Sequence, residues 1–159
     1  MINKILNPLT TFIIGLLLGI FSRLFDLYTQ NLGNIFSQFA IWILLGTLIS
    51  IYSKSAKMAM LNILLFCTGM LLTYYAATLL TEGIYGHVFI IGWTIFALCS
   101  PIMAYFVWMT KKDGVFSKMI AAGIVLFSVV STILLFDRLR IYDYLINALL
   151  IYFLFIKKV

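Results

Sequence analysis

Gly15, Gly19, Arg23, Asp26 and Gln30 follow one another at spacings of four, four, three and four, so they share one face of a helix. Gly15 and Gly19 form a small-xxx-small pair, which lets another helix backbone approach closely. Arg23 and Asp26 come directly after that contact. A charged side chain facing lipid is costly, so this face should point into a bundle or toward water. Two chemistries fit the pair: a local ion pair closing a packing seam, or part of an outward-facing polar site for a solute.

A second group has the same character. Arg140, Asp143 and Asn147 share a face at spacings of three and four, and Asp137 and Arg138 precede them. If this group lies at the depth of the first, opposite charges can cross-pair, Arg23 with Asp143 and Arg140 with Asp26. Asn147 falls deeper, where an unpaired amide is costly and needs a partner on another helix or on a ligand. A third group is Tyr75, Thr78 and Glu82 with Tyr74 alongside, followed by Tyr85, His87 and Trp93. Glu82 and the lone histidine, His87, could form an acid/base pair or a pH-sensitive contact, or simply be two solvated loop residues. Tyr75 and Trp93 are candidate stacking surfaces.

Other chemistry finds no support in the spacing. One histidine and the separated Cys67 and Cys99 match no zinc pattern, and the thiols read as small apolar fillers. There is no phosphate-cradling glycine loop, no zinc-protease motif and no nucleophile elbow. No catalytic residue, metal ligand or cofactor is therefore assigned.

The elements that must position these groups follow from composition. Of 159 residues, 64% are hydrophobic and 10% charged, with a mean hydropathy of +1.14. Soluble domains carry roughly 25% charged residues, so only lipid can solvate this chain. A span needs about 20 mostly apolar residues, and six segments meet that length: about 8–28, 33–53, 58–80, 84–110, 115–136 and 139–156. The expected fold is all-α, a polytopic bundle of six transmembrane helices filling residues 1–159 as one domain. The apolar runs are continuous rather than alternating, which excludes a barrel.

Punctuation agrees with these bounds. Asn7-Pro8 opens the first segment, Asn31, Gly33 and Asn34 break it from the second, and Lys111-Lys112-Asp113-Gly114 separates the fourth from the fifth. Pro101 lies inside the fourth and should kink it. No small-residue cleavage site follows the first segment, so it reads as a retained span.

The charges orient the bundle. Eight lysines (Lys4, Lys54, Lys57, Lys111, Lys112, Lys118, Lys157 and Lys158) fall on one side of a six-span arrangement, and Arg23, Arg138 and Arg140 on the other. The positive-inside rule then puts both termini in the cytoplasm. The net charge of +6 thus reflects topology, with no basic patch for nucleic acid. Tyr52, Tyr105, Trp108 and Tyr152 near one interface, and Tyr28, Tyr85, Tyr142 and Tyr144 near the other, read as aromatic belts.

Two resemblances bear on function. The run from Gly15 through Arg23 to Asp26, with Ser53-Lys-Ser-Ala-Lys57 before a span ending in Tyr74-Tyr75, resembles a family of small bacterial multi-span proteins that carries no known activity. That resemblance implies a bacterial plasma membrane. The six short helices and the small-xxx-small pair in the first are similar to the substrate-binding subunits of energy-coupling-factor vitamin transporters. That second resemblance implies docking on a membrane coupling subunit through Gly15 and Gly19, and a ligand near the outer face.

The expected function is a non-catalytic, multi-pass protein that binds or passes a small solute through an outward-facing polar site. Arg23, Asp26, Glu82, His87, Arg140, Asp143 and Asn147 would line it, with Tyr75 and Trp93. The expected partners are the lipid bilayer, a small-molecule ligand on the outer side, and a membrane protein or second copy. The alternative is an accessory, immunity or assembly protein acting through helix contacts. An intramembrane lipid enzyme depending on His87 is a third class.

Overall fold

A computed structural model describes residues 6–81 and 86–157, including the side chains of all but Gln30, His87 and Phe89. Among these residues there is no strand. The helices are α1 (Pro8–Tyr28), α2 (Gln30–Phe36), α3 (Phe39–Ile51), α4 (Ala56–Leu80), α5 (His87–Met109), α6 (Val115–Phe136) and α7 (Ile141–Ile151). A π-helical turn, Tyr152–Ile156, continues α7. Stretches of α1, α4, α5 and α6 are long and apolar enough to cross a membrane.

The start of α1 follows the sequence signal. The Asn7 side chain accepts from the Thr10 backbone N–H at 2.9 Å, and Thr10 Oγ1 accepts from the Asn7 N–H at 3.0 Å. Pro8 occupies the first turn, where its missing N–H leaves nothing unpaired.

The segment read as one span over 33–53 is divided. Ser37 and Gln38 separate α2 from α3. The Ser37 hydroxyl donates to the Gly33 carbonyl at 2.8 Å, and the Trp42 indole N–H to the Phe36 carbonyl at 2.7 Å, so two carbonyls ending α2 keep partners. Gly33 lets α2 lie tightly on α1: a Cβ there would be 3.0 Å from the Asp26 Cα. What remains for α3 is 13 residues, about 20 Å of helix against roughly 30 Å of hydrocarbon.

This short helix is the hub, packed against α4, α5, α6 and α7. Ala40, Trp42, Ile43, Leu44, Ile49 and Ile51 on it are all buried. The other dominant contact is α1 on α4. These two run parallel, because Gly15 meets Phe66 while Gly19 meets Met70 and Thr73. A Cβ on either glycine would overlap the α4 backbone, and one on Gly69 would lie 2.7 Å from the Phe12 carbonyl oxygen. Across this seam the Thr73 hydroxyl donates to the Leu16 carbonyl at 2.7 Å. The small-xxx-small pair therefore does its work within the chain.

The surface is unlike that of a water-soluble fold. Gln38, Asn62, Thr11, Thr132 and Asp143 are at most 1% exposed, while Leu9, Leu72, Leu79, Leu98 and Leu134 are at least 60% exposed. Water would penalise such a surface, whereas hydrocarbon matches it. The fold thus supports a transmembrane protein.

Pro101 sits inside α5, which continues through it. A proline cannot donate to the carbonyl four residues back, that of Ala97. The Ser100 hydroxyl donates to that carbonyl instead, at 2.7 Å. The described lysine turns gather at one end of the bundle. Trp108 Nε1 donates to the Ser53 carbonyl at 3.2 Å, the Ser117 hydroxyl to the Met109 carbonyl at 2.9 Å, and Tyr52 meets Phe153 edge-on. Lys4 and Lys158 lie outside the described residues.

Candidate functional site

At the opposite end, α1, α4 and the start of α5 enclose a polar cavity of about 240 Å³. Arg23 and Asp26 enter it from α1, Tyr74 and Tyr75 from α4, and Trp93 from α5. Trp42, from the hub helix, closes its floor.

The charged residues are held in place from several elements. The Tyr74 hydroxyl donates to Asp26 Oδ2 at 2.7 Å, and the Ser37 hydroxyl reaches Asp26 Oδ1 at 3.3 Å. Arg23 Nε donates to Thr81 Oγ1 at 3.0 Å, and the Thr81 hydroxyl in turn donates to the Ala77 carbonyl at 2.9 Å. The Tyr74 hydroxyl is thus fixed on the carboxylate, with the Arg23 guanidinium entering the same cavity from one turn earlier on α1. Ser22 also lines the cavity, is 3% exposed, and its hydroxyl oxygen has no hydrogen-bond partner. A buried hydroxyl without a partner is costly, so an incoming polar group would gain by meeting it.

The apolar half of the site is aromatic. Trp42 lies edge-on to Phe36 at 5.7 Å and to Trp93 at 6.4 Å between centroids, and Tyr74 meets Tyr75 at 5.9 Å. The Tyr75 hydroxyl donates to the Ile90 carbonyl at 3.4 Å, tying α4 to α5. The arrangement offers one cation, one carboxylate and a hydroxyl beside rings. It can bind a small solute with a charged or polar end and a flat or apolar body.

Arg140, Asp143 and Asn147 form a separate cluster. Arg140 Nε lies 3.4 Å from Asp143 Oδ2, and the Arg140 backbone N–H donates to the same oxygen at 2.7 Å. Arg140 Nη2 donates to Gln38 Oε1 at 2.8 Å, and the guanidinium lies 3.8 Å from the Phe136 ring centroid and 4.6 Å from that of Tyr142. Neither expected cross-pair forms. α7 packs on α3 and α6, whereas α1 packs on α4, and each charge takes its partner from its own neighbourhood. Asn147 does not bond across helices either: its amide donates to the Asp143 carbonyl on its own helix at 2.8 Å. Asp143 Oδ1, Asn147 Oδ1 and Gln38 Nε2 are buried without a partner.

Of the remaining expected residues, Glu82 and Tyr85 lie outside the described residues. His87 begins α5, with its side chain outside them as well, so the Glu82–His87 contact is not placed. No group of three or more His, Cys, Asp or Glu side chains able to hold a metal occurs among the described residues. Cys67 is buried and Cys99 exposed, both as free thiols.

Gln38, Ser37, Ser22 and Trp42 were not among the sequence candidates. Gln38 had a readable signal, an amide inside a continuous apolar segment. Trp42 had none, since an indole in a span reads first as packing. No family model, curated protein or solved structure matches the chain.

Proposed function

We propose that the chain is a six-span protein of a bacterial plasma membrane, with both termini cytoplasmic, that binds or passes a small solute through the Arg23–Asp26 cavity. The observation carrying this reading is the meeting of Arg23, Asp26 and the Tyr74 hydroxyl with Trp42 and Trp93 around one cavity. Charged groups inside a membrane bundle are costly and are characteristic of solute pathways. The lysines at one end and the arginines at the other favour the stated orientation. The resemblance to transporter substrate-binding subunits agrees in architecture. The α1 glycines, however, face α4, so a coupling subunit would have to dock elsewhere.

The accessory-protein reading gains nothing from those glycines, because replacing them would disturb the fold under either reading. The test is small-molecule mass spectrometry on the tagged protein, extracted from its native membrane in mild detergent. The wild type should retain a solute near one equivalent that Arg23→Ala loses, while Gly92→Ala, changed at an open position, keeps it. Retention of phospholipid alone by the wild type, or equal retention by Arg23→Ala, would sink the proposal.

A further inference from the structure

A second cavity, also about 240 Å³, lies in the lysine-bearing half between α3, α4, α5 and α6. Its inner wall is Ile63, Phe66, Cys67 and Met70 of α4, and its mouth is marked by the exposed Met103, Gly123 and Phe127 on α5 and α6. It therefore opens sideways, onto a surface otherwise made of leucine, isoleucine and phenylalanine. Its few polar side chains are largely spent. The Ser50 hydroxyl donates to the Gly46 carbonyl and the Ser100 hydroxyl to the Ala97 carbonyl, both at 2.7 Å, leaving the Thr47 hydroxyl alone. Along α5 the lining runs from Phe96 to Val107, about 16 Å of helix.

The turns beyond one end of this cavity are basic. The lining reaches Ser50 on α3 and Val107 on α5, and the turns that follow the ends of these helices, at Ile51 and Met109, carry Lys54 and Lys111. The two lysines sit on joined turns. The Lys111 ammonium lies 5.7 Å from the Trp108 ring centroid, and the Trp108 indole N–H donates to the carbonyl of Ser53, the neighbour of Lys54. An apolar slot along the helices with two cations at one end fits an amphiphile with an anionic head.

We propose that this cavity holds one acyl chain of an anionic phospholipid, with the headgroup phosphate at Lys54 and Lys111. Within a bilayer an acyl chain gains no hydrophobic free energy by moving into protein. What it gains is contact atoms in a slot that would otherwise be empty, together with the two ammonium groups. Each lysine favours an anionic over a zwitterionic headgroup by about fivefold, and the pair by roughly twenty- to thirtyfold. Of its lining, Trp42 and Met70 also face the solute cavity, and the rest is its own.

The experiment is native mass spectrometry of the protein released from nanodiscs of equal phosphatidylglycerol and phosphatidylcholine. The wild type should retain one phosphatidylglycerol in marked preference to phosphatidylcholine. Gly123 lines the mouth and a Cβ there meets no atom within 4 Å, so the backbone accepts a larger residue, and Gly123→Leu should sharply lower that retention. The Lys54→Gln/Lys111→Gln variant should keep one lipid but lose the preference for phosphatidylglycerol. Gly92→Leu, also in open space but away from the cavity, should behave as wild type. Unchanged retention in Gly123→Leu would overturn the proposal, and so would equal retention of the two lipids by the wild type.

Discussion

Replacing Gly15 with alanine tests the packing argument most directly. The added methyl carbon would overlap the Phe66 carbonyl oxygen and lie 3.1 Å from its Cα, and these are backbone atoms that no rotamer change can move. The α1–α4 seam must open. Overpacking of this kind costs about 1–3 kcal/mol. Opening the seam also weakens the Thr73–Leu16 hydrogen bond, worth about 1 kcal/mol. Against this, alanine improves helix propensity over glycine by about 1 kcal/mol. The net expectation is a loss of about 1–3 kcal/mol. Gly123→Ala isolates the propensity term, because its new methyl meets nothing within 4 Å, and it should gain up to about 1 kcal/mol. The informative quantity is the gap between the two variants, about 2–4 kcal/mol, measured by titrating denaturing detergent into mixed micelles and following tryptophan fluorescence. Gly19→Ala should resemble Gly15→Ala, and the double variant should cost less than the sum, since one displacement of α1 relieves both overlaps. Equal stabilities for Gly15→Ala and Gly123→Ala would refute the close parallel packing of α1 on α4.

Two further predictions use the same unfolding measurement. Ser100→Ala leaves the Ala97 carbonyl buried without a donor and should cost about 1–3 kcal/mol, whereas in a Pro101→Ala background, where the backbone N–H returns, it should cost little; equal costs in both backgrounds would refute the compensation. Asp143→Ala strips a fully buried carboxylate from Arg140 and should cost about 3–5 kcal/mol, with Asp143→Asn milder because the amide oxygen can still accept from the Arg140 backbone N–H; a neutral Asp143→Ala would show that the pair carries no structural role.

Much of the helical layout is legible in the sequence, because lipid leaves so little choice. The first segment, 8–28, and the fifth, 115–136, coincide with α1 and α6, where Asn7-Pro8 and Gly114 mark the starts. The second did not read correctly as one helix. A hydropathy window averages over Ser37 and Gln38, and what makes the break tolerable is side chains: the Ser37 hydroxyl takes the Gly33 carbonyl and the Trp42 indole that of Phe36. Within the candidate site, the face carrying Gly15, Gly19, Arg23 and Asp26 was readable from spacing alone. Its partners were not. Periodicity says which side of a helix is special but not which neighbour meets it, so Asp26 was matched with Arg140 when Tyr74 and Ser37 hold it. Gln38 likewise takes Arg140 from a position 102 residues away.

Trp42 has a consequence that reaches beyond its hydrogen bond. Together with Met70 it forms part of the wall of both cavities, so the polar chamber and the apolar slot are separated by the thickness of one indole and one thioether. A shared partition makes their occupancies a single thermodynamic problem. An occupant in contact with the shared ring acts on the wall of the other chamber, and by reciprocity any such coupling is equal in both directions. The indole is held at one corner by the Phe36 carbonyl and on its sides by Phe36, Phe66 and Trp93, so the partition is a fixed wall braced from three helices.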